Sequence, residues 1–144
     1  ERFQKRFPNK TAYHLGLLAA LMHLRNRPVT IQTPTGRSRQ NYIVISVGNG
    51  AYIGGGIDAL PDADACDGKL DICIMHDVGI LRIPYVLTKF VKGRHLGLRE
   101  TDYSRVDTVT VASERPVAVQ LDGEIMEVTP VTFQIKPKAI RLVL

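Results

Sequence analysis

The stretch VDTVTVASERPVAVQLDGEIMEVTPVTFQI, residues 106–135, indicates most about the fold. Runs rich in β-branched residues alternate there with short groups of turn residues, which is the pattern of closely spaced strands. Asp122-Gly123 between apolar residues is the signature of a type I′ hairpin. The predicted strands cover residues 106–112, 117–121, 124–135 and 139–144, with turns between them. We therefore predict a mainly β, α+β domain: an antiparallel β-sandwich or curled sheet with about two helices.

Upstream of that stretch, helical patterns and shorter strands share the chain. Leu15, Leu18 and Met22 form one apolar face of a helix predicted at residues 11–25. A second helix is predicted at residues 78–91, ended by Gly93. Further strands are predicted at residues 29–32, 42–47 and 70–75, and a turn at residues 33–36.

Composition narrows the class of protein and of partner. The 144 residues are enough for one domain, and a net charge of +5 suits an anionic partner such as a membrane surface, a nucleotide or a nucleic acid. Five tyrosines, four phenylalanines and no tryptophan are spread along the chain, without the stacking platform of RNA-binding modules, so nucleic acid is not expected. Cys66 and Cys73 match no zinc or disulfide pattern, and a reducing cytoplasm fits them best.

The stretch VGNGAYIGGGIDALPDADACDGKLDICIM, residues 47–75, is rich in glycine and aspartate. Its glycine spacing misses the dinucleotide fingerprint by one residue, and Gly56-Ile57 stand where a P-loop needs lysine and Ser/Thr, so neither phosphate cradle is predicted. Four aspartates within ten residues could bind a hard cation such as Mg²⁺, or could cap turns by bonding their own backbone. They are Asp62, Asp64, Asp67 and Asp71. Both interpretations stay open at this point.

The hairpin predicted at Asp122-Gly123 carries a second candidate. Glu124 follows the turn directly, so a carboxylate at the hairpin tip could accept a proton from a hydroxyl. The alternative is that Glu124 is only the first residue of the return strand.

Four segments together resemble the C-terminal half of a diacylglycerol kinase-like lipid kinase. They are NGAYIGGG (49–56), PDADACDGKLDI (61–72), QLDGEIMEV (120–128) and the closing strand KAIRLVL (138–144). The resemblance implies a fold like the second domain of the NAD kinase/diacylglycerol kinase-like enzymes. Residues 1–144 would be the C-terminal, substrate-side domain, and a nucleotide-binding domain with a GGDGT loop would be missing. Alone, such a fragment is expected to be inactive.

The resemblance also implies roles for individual residues. Glu124 matches the residue that accepts the proton of the lipid hydroxyl. Asp67 matches a Mg²⁺ ligand, joined by the backbone carbonyls of Asp64 and Lys69. Asn49 and Gly123 are expected to bind the cofactor in the cleft between the two domains, with ATP bound mainly by the missing domain.

The implied function is ATP-dependent transfer of the γ-phosphate to a hydroxyl of diacylglycerol or a related lipid. The expected partners are a lipid substrate at a membrane surface and ATP, and a homodimer is left open. The expected location is the cytoplasm, with peripheral attachment to the membrane. Two alternatives remain: a domain of an NAD kinase-related enzyme, and a non-catalytic β-sandwich that binds a lipid or a partner protein.

Overall fold

The structure, a computed structural model, describes residues 28–53 and 56–139. The helix predicted at residues 11–25 and the glycines Gly54 and Gly55 lie outside these ranges. So does the strand predicted at residues 139–144, except for Ala139, which has no regular structure.

The described residues form ten strands and one helix. In chain order they are β1 (Pro28–Thr33), β2 (Gly36–Gly48), β3 (Tyr52–Ile53), β4 (Ile57–Asp58), β5 (Leu70–His76), α1 (Ile83–Val91), β6 (Thr101–Val106), β7 (Thr108–Ser113), β8 (Val117–Leu121), β9 (Glu124–Val128) and β10 (Val131–Gln134).

Six of the strands form one antiparallel sheet in the order β10-β7-β1-β2-β5-β6. The first half of β2 pairs with β1 and its second half with β5, and the register shifts between Tyr42 and Val44. Such a bulge increases local twist and bends the strand, which allows the sheet to curl. Apolar side chains from several strands of this sheet form one buried cluster, including Ile31 of β1, Ile72 of β5 and Val109 of β7. The predicted mainly β, antiparallel architecture is confirmed.

A second core lies on the other face of β5. Cys73 and Met75 pack there with Val86 and Phe90 of α1. Because β5 is covered on both faces, its sequence is an almost continuous apolar run. Burial, with a smaller effect of Asp102, raises the pKa of the Cys73 thiol to about 12, so this cysteine is an unreactive core residue.

Helix α1 is shorter than predicted, because it begins at Ile83 and not at residue 78. Pro84 occupies the first turn, where a missing N–H costs no hydrogen bond. Gly93, with a φ of 64°, ends the helix as expected. The N–H groups of Gly93 and Arg94 donate to the carbonyls of Phe90 and Lys89, which is the Schellman pattern. A Cβ at Gly93 would lie 2.3 Å from Asp58 Oδ2, so the helix end also requires glycine for space.

Several strand predictions need correction, including the one at residues 42–47, which covers only the second part of β2. The strand predicted at residues 124–135 is two strands, β9 and β10, separated at Thr129 and Pro130, where proline cannot donate to a ladder. The strand predicted at residues 106–112 is β7, and β6 before it was not predicted because its polar residues T-D-Y-S-R hide the alternation. The short pair β3 and β4 was also missed.

Candidate functional site

Residues 61–69, called here the aspartate loop, connect the core to the start of β5. Asp64 Oδ1 accepts a hydrogen bond from the Cys66 N–H at 2.8 Å, and Asp67 Oδ1 accepts one from the Lys69 N–H at 2.7 Å. The Asp67 N–H donates to the Asp64 carbonyl at 3.2 Å. Both aspartates therefore cap turns of their own loop. The second carboxylate oxygen of Asp67, Oδ2, takes no part in its turn.

Three residues of β5 and β6, Asp71, Tyr103 and Arg105, tie this loop to the sheet and are called here the Asp71 anchor. Asp71 is fully buried. Its Oδ1 accepts hydrogen bonds from the Tyr103 hydroxyl at 2.6 Å and from Arg105 Nε at 3.1 Å. Arg105 Nε also lies 3.6 Å from Asp67 Oδ2, and its terminal amine donates to the Asp62 carbonyl. One guanidinium thus links the buried carboxylate to the exposed loop.

The anchor changes the acid–base behaviour of its own members. Burial, reinforced by the hydrogen bond to Asp71, raises the pKa of the Tyr103 hydroxyl, so it remains a donor. The hydrogen bond to Asp71 raises the pKa of Arg105. Sequence reasoning missed both residues, since their role depends on the β5–β6 register, which places Arg105 directly opposite Asp71.

The aspartate loop carries oxygen donors of the kind that a hard cation would need. The Asp67 carboxylate and the carbonyls of Asp64 and Lys69 are oxygen donors of the kind that Mg²⁺ prefers. The Lys69 ammonium binds Asp107 at 2.7 Å, so this residue can offer its carbonyl while its charge is engaged elsewhere. Beside the loop, Asp71 Oδ2 is buried and has no hydrogen-bond partner among the described residues. Within 28–53 and 56–139, no three His, Cys, Asp or Glu side chains are grouped as a metal site.

Asn49 lies at the same end of the sheet as the aspartate loop. It directly follows Gly48, whose register partner in β5 is Asp71. A Cβ at Gly48 would lie 2.9 Å from Leu60 Cδ1, and the Leu60 N–H donates to the Ala51 carbonyl at 3.0 Å. The segment after β2 therefore packs closely on the residues that lead into the loop, while the side chain of Asn49 is exposed.

The remaining candidate residues, Gly123 and Glu124, lie on the hairpin of β8 and β9. Asp122 and Gly123 have φ values of 46° and 98°, as a type I′ turn requires. Glu124 begins β9 opposite Leu121, is exposed, and its carboxylate makes no hydrogen bond or ion pair with any described residue. The hairpin pairs with no other described strand, and reciprocal hydrogen bonds between Ser113 and Thr129 close its base.

The structure therefore groups some of the predicted residues and separates others. Asn49, Asp64, Asp67 and Lys69 belong to neighbouring segments at one end of the sheet. Gly123 and Glu124 lie at the tip of a separate hairpin, and no hydrogen bond or ion pair among the described residues joins that tip to the aspartate loop. No described helix is both long and apolar enough to cross a bilayer.

Comparisons with known proteins agree with this architecture. A model of the family described as the YegS C-terminal NAD kinase beta sandwich-like domain matches residues 2–144. A Pseudomonas putida protein named "Probable lipid kinase YegS-like" is 28% identical over 142 residues, which are 96% of this chain and 45% of that protein. A Mycobacterium tuberculosis protein named "Diacylglycerol kinase" is 29% identical over 140 residues, 95% of this chain and 45% of that protein.

A solved structure of a diacylglycerol kinase from Bacillus anthracis shares the fold. It superposes with a TM-score of 0.62 at 20% sequence identity, covering 88% of this chain and 47% of the other. The chain spans about half the length of the curated relatives it matches. It belongs to the family of YegS C-terminal NAD kinase beta sandwich-like domains.

Proposed function

We propose that this chain is the substrate-side domain of an ATP-dependent lipid kinase that phosphorylates a hydroxyl of diacylglycerol or a related lipid at a membrane surface. The relatives named lipid kinase and diacylglycerol kinase support this class of activity. The observation that carries the proposal is the Glu124 carboxylate, which is exposed at a hairpin tip and unpaired among the described residues. A carboxylate held in this way is available to a hydroxyl group that approaches from outside the domain.

In the proposed reaction, the lipid hydroxyl oxygen attacks the γ-phosphorus of ATP. The Glu124 carboxylate accepts the hydroxyl proton as the new O–P bond forms, and the bond to the β-phosphate oxygen breaks to release ADP. Phosphoryl transfer requires little covalent chemistry from the protein beyond positioning, charge stabilisation and one proton acceptor. The type I′ turn supports this role, since it fixes the backbone on which Glu124 stands.

The nucleotide would be bound mainly outside this chain. Asn49 and the Gly123 backbone are the groups of this domain that we assign to the cofactor side of the cleft. Mg²⁺ would be held by the Asp67 carboxylate and the carbonyls of Asp64 and Lys69, where it would supply positive charge that keeps the aspartate loop in one arrangement. The Asp71 anchor holds Asp67 in place through Arg105.

The experiment replaces Glu124 with Gln in the full-length protein. Gln keeps the size of the side chain but cannot accept the proton, so kcat should fall about 10²–10⁴-fold, with the melting temperature unchanged. Glu127→Gln is the matched control, because Glu127 is an exposed glutamate on the same strand. Near-normal turnover of Glu124→Gln, or an equal loss in Glu127→Gln, would remove Glu124 from the mechanism.

An NAD kinase-related activity is the second candidate, favoured by the NAD kinase-like description of the family. It uses the same two-domain plan with a soluble dinucleotide as the acceptor. A non-catalytic binding module is the third, and it predicts no phosphate transfer to either acceptor. These outcomes differ in which product carries the label when the full-length protein is incubated with labelled ATP.

A further inference from the structure

The turn before α1 and the first turn of that helix expose large apolar side chains next to one another. Ile80, Leu81 and Tyr85 are 55%, 94% and 49% exposed, whereas Ile83 and Val86 beside them are buried in the core. Adjacent exposed residues of this size on a globular protein mark an interaction surface more often than isolated ones do. Leu81 in particular projects into solvent and contributes almost nothing to the described fold.

Two cationic groups lie against the aromatic member of this set. The Arg82 guanidinium carbon and the Lys89 ammonium each lie 5.6 Å from the centre of the Tyr85 ring. Arg82 also binds Glu100 at 2.6 Å, which fixes its position. Residues 77–100 contain five Arg or Lys residues against Asp77 and Glu100, so this segment carries an excess of positive charge.

Exposed apolar side chains next to cations match the chemistry of a bilayer surface, where acyl chains lie beneath charged headgroups. A basic segment near an anionic leaflet gains attraction from each Lys or Arg. A projecting tip also suits a soft bilayer, into which it can insert. Charge and shape thus both favour an anionic lipid surface as the occupant.

We propose that the α1 knob, defined as Ile80, Leu81, Arg82, Tyr85 and Lys89, docks the protein on bilayers that contain anionic lipid. This proposal rests on the proposed function, since a kinase for a membrane lipid must reach its substrate at the bilayer. The knob inserts Ile80 and Leu81 below the headgroups, while Arg82 and Lys89 stay at the level of the phosphates.

The test is co-sedimentation of the full-length protein with two kinds of vesicle: phosphatidylcholine alone, and phosphatidylcholine with an equal share of phosphatidylglycerol. Wild type should bind the anionic vesicles more tightly. Leu81→Glu should weaken that binding about tenfold or more, because it replaces an inserted side chain with a repelled charge. Lys89→Gln should weaken it about fivefold and reduce its dependence on salt. Leu81 does not support the core, so the melting temperature of Leu81→Glu should not change.

Tyr52→Glu is the matched control, because Tyr52 is a large side chain that is 71% exposed on the separate β3–β4 pair. Binding by Leu81→Glu equal to wild type would overturn the proposal, and so would an equal loss in Tyr52→Glu. A wild-type dimer that Leu81→Glu converts to a monomer, with vesicle binding unchanged, would assign the knob to a second copy of the chain instead.

Vesicle binding needs no catalysis, so the two proposals can fail separately. A protein that binds through the knob but phosphorylates no lipid would contradict the proposed function alone. A protein that phosphorylates a dispersed short-chain lipid, yet binds vesicles without help from Leu81, would contradict only the docking surface.

Discussion

The Asp71 anchor offers the sharpest test of how the aspartate loop is held, and Tyr103→Phe is the cleanest change to make there. The substitution removes one oxygen atom and keeps the ring. That oxygen donates to Asp71 Oδ1 at 2.6 Å, and Asp71 is fully buried. Because the other carboxylate oxygen of Asp71 has no described partner, the variant leaves Arg105 as the only described donor to this group.

The expected cost follows from the kind of hydrogen bond that is lost. A bond to a charged, buried group contributes about 1.5–3 kcal/mol, against about 0.5–1.5 kcal/mol for a bond between neutral groups. We therefore expect the free energy of unfolding to fall by about 2 kcal/mol. For a domain of this size, that corresponds to a melting temperature lower by roughly 4–8 °C.

Urea titration of the full-length protein measures the loss, with Tyr42→Phe as the matched control. The Tyr42 hydroxyl donates to the Ser38 hydroxyl at 3.0 Å, so the same atom is removed from a neutral bond. In a double-mutant cycle with Asp71→Asn, the two changes should be non-additive by about 1 kcal/mol or more. A Tyr103→Phe variant no less stable than Tyr42→Phe, or a strictly additive cycle, would refute the reasoning.

Two further predictions concern the metal and the pH. Mg²⁺ should raise the melting temperature of wild type but not that of Asp67→Ala, and an equal rise in both proteins, or none in wild type, would mean that the loop is only a set of turns. Burial lowers the pKa of His95 below its ordinary 6.5, so stability should be lost as pH falls through 6.5. His95→Gln can still donate to the Ala59 carbonyl but cannot titrate, and its denaturation curves at pH 5 and 7.5 should differ less. Equal pH dependence in the two proteins would contradict this.

Sequence predicted the fold best where local chemistry decides the structure. Asp122-Gly123 and Gly93 adopt the positive φ values expected of a hairpin turn and a helix end, because few other residues tolerate that backbone. β5 was predicted because apolar residues alternate with other residues over residues 70–75. β6 was missed because half of its residues face solvent and its sequence is mostly polar. The break between β9 and β10 was missed because a β-rich pattern continues across Pro130.

The residues of the candidate site also differ in how well the sequence alone predicts them. Asp67 and Glu124 stand in short motifs that a reader of the sequence can find. Arg105 stands in no motif, and its link to Asp71 exists only because β6 pairs with β5 in one particular register. The α1 knob could not be predicted from the sequence. The predicted helix included Ile80 and Leu81, whereas the observed helix begins after them, at Ile83.

The most direct test of the proposed activity is to incubate the full-length protein with γ-labelled ATP and either a lipid extract or NAD, and then to separate lipid from water-soluble products. We predict label in the lipid fraction, on an alcohol that carries a new phosphate, and none on NAD. Label on NAD with an unlabelled lipid fraction would contradict the account, as would no transfer to either acceptor.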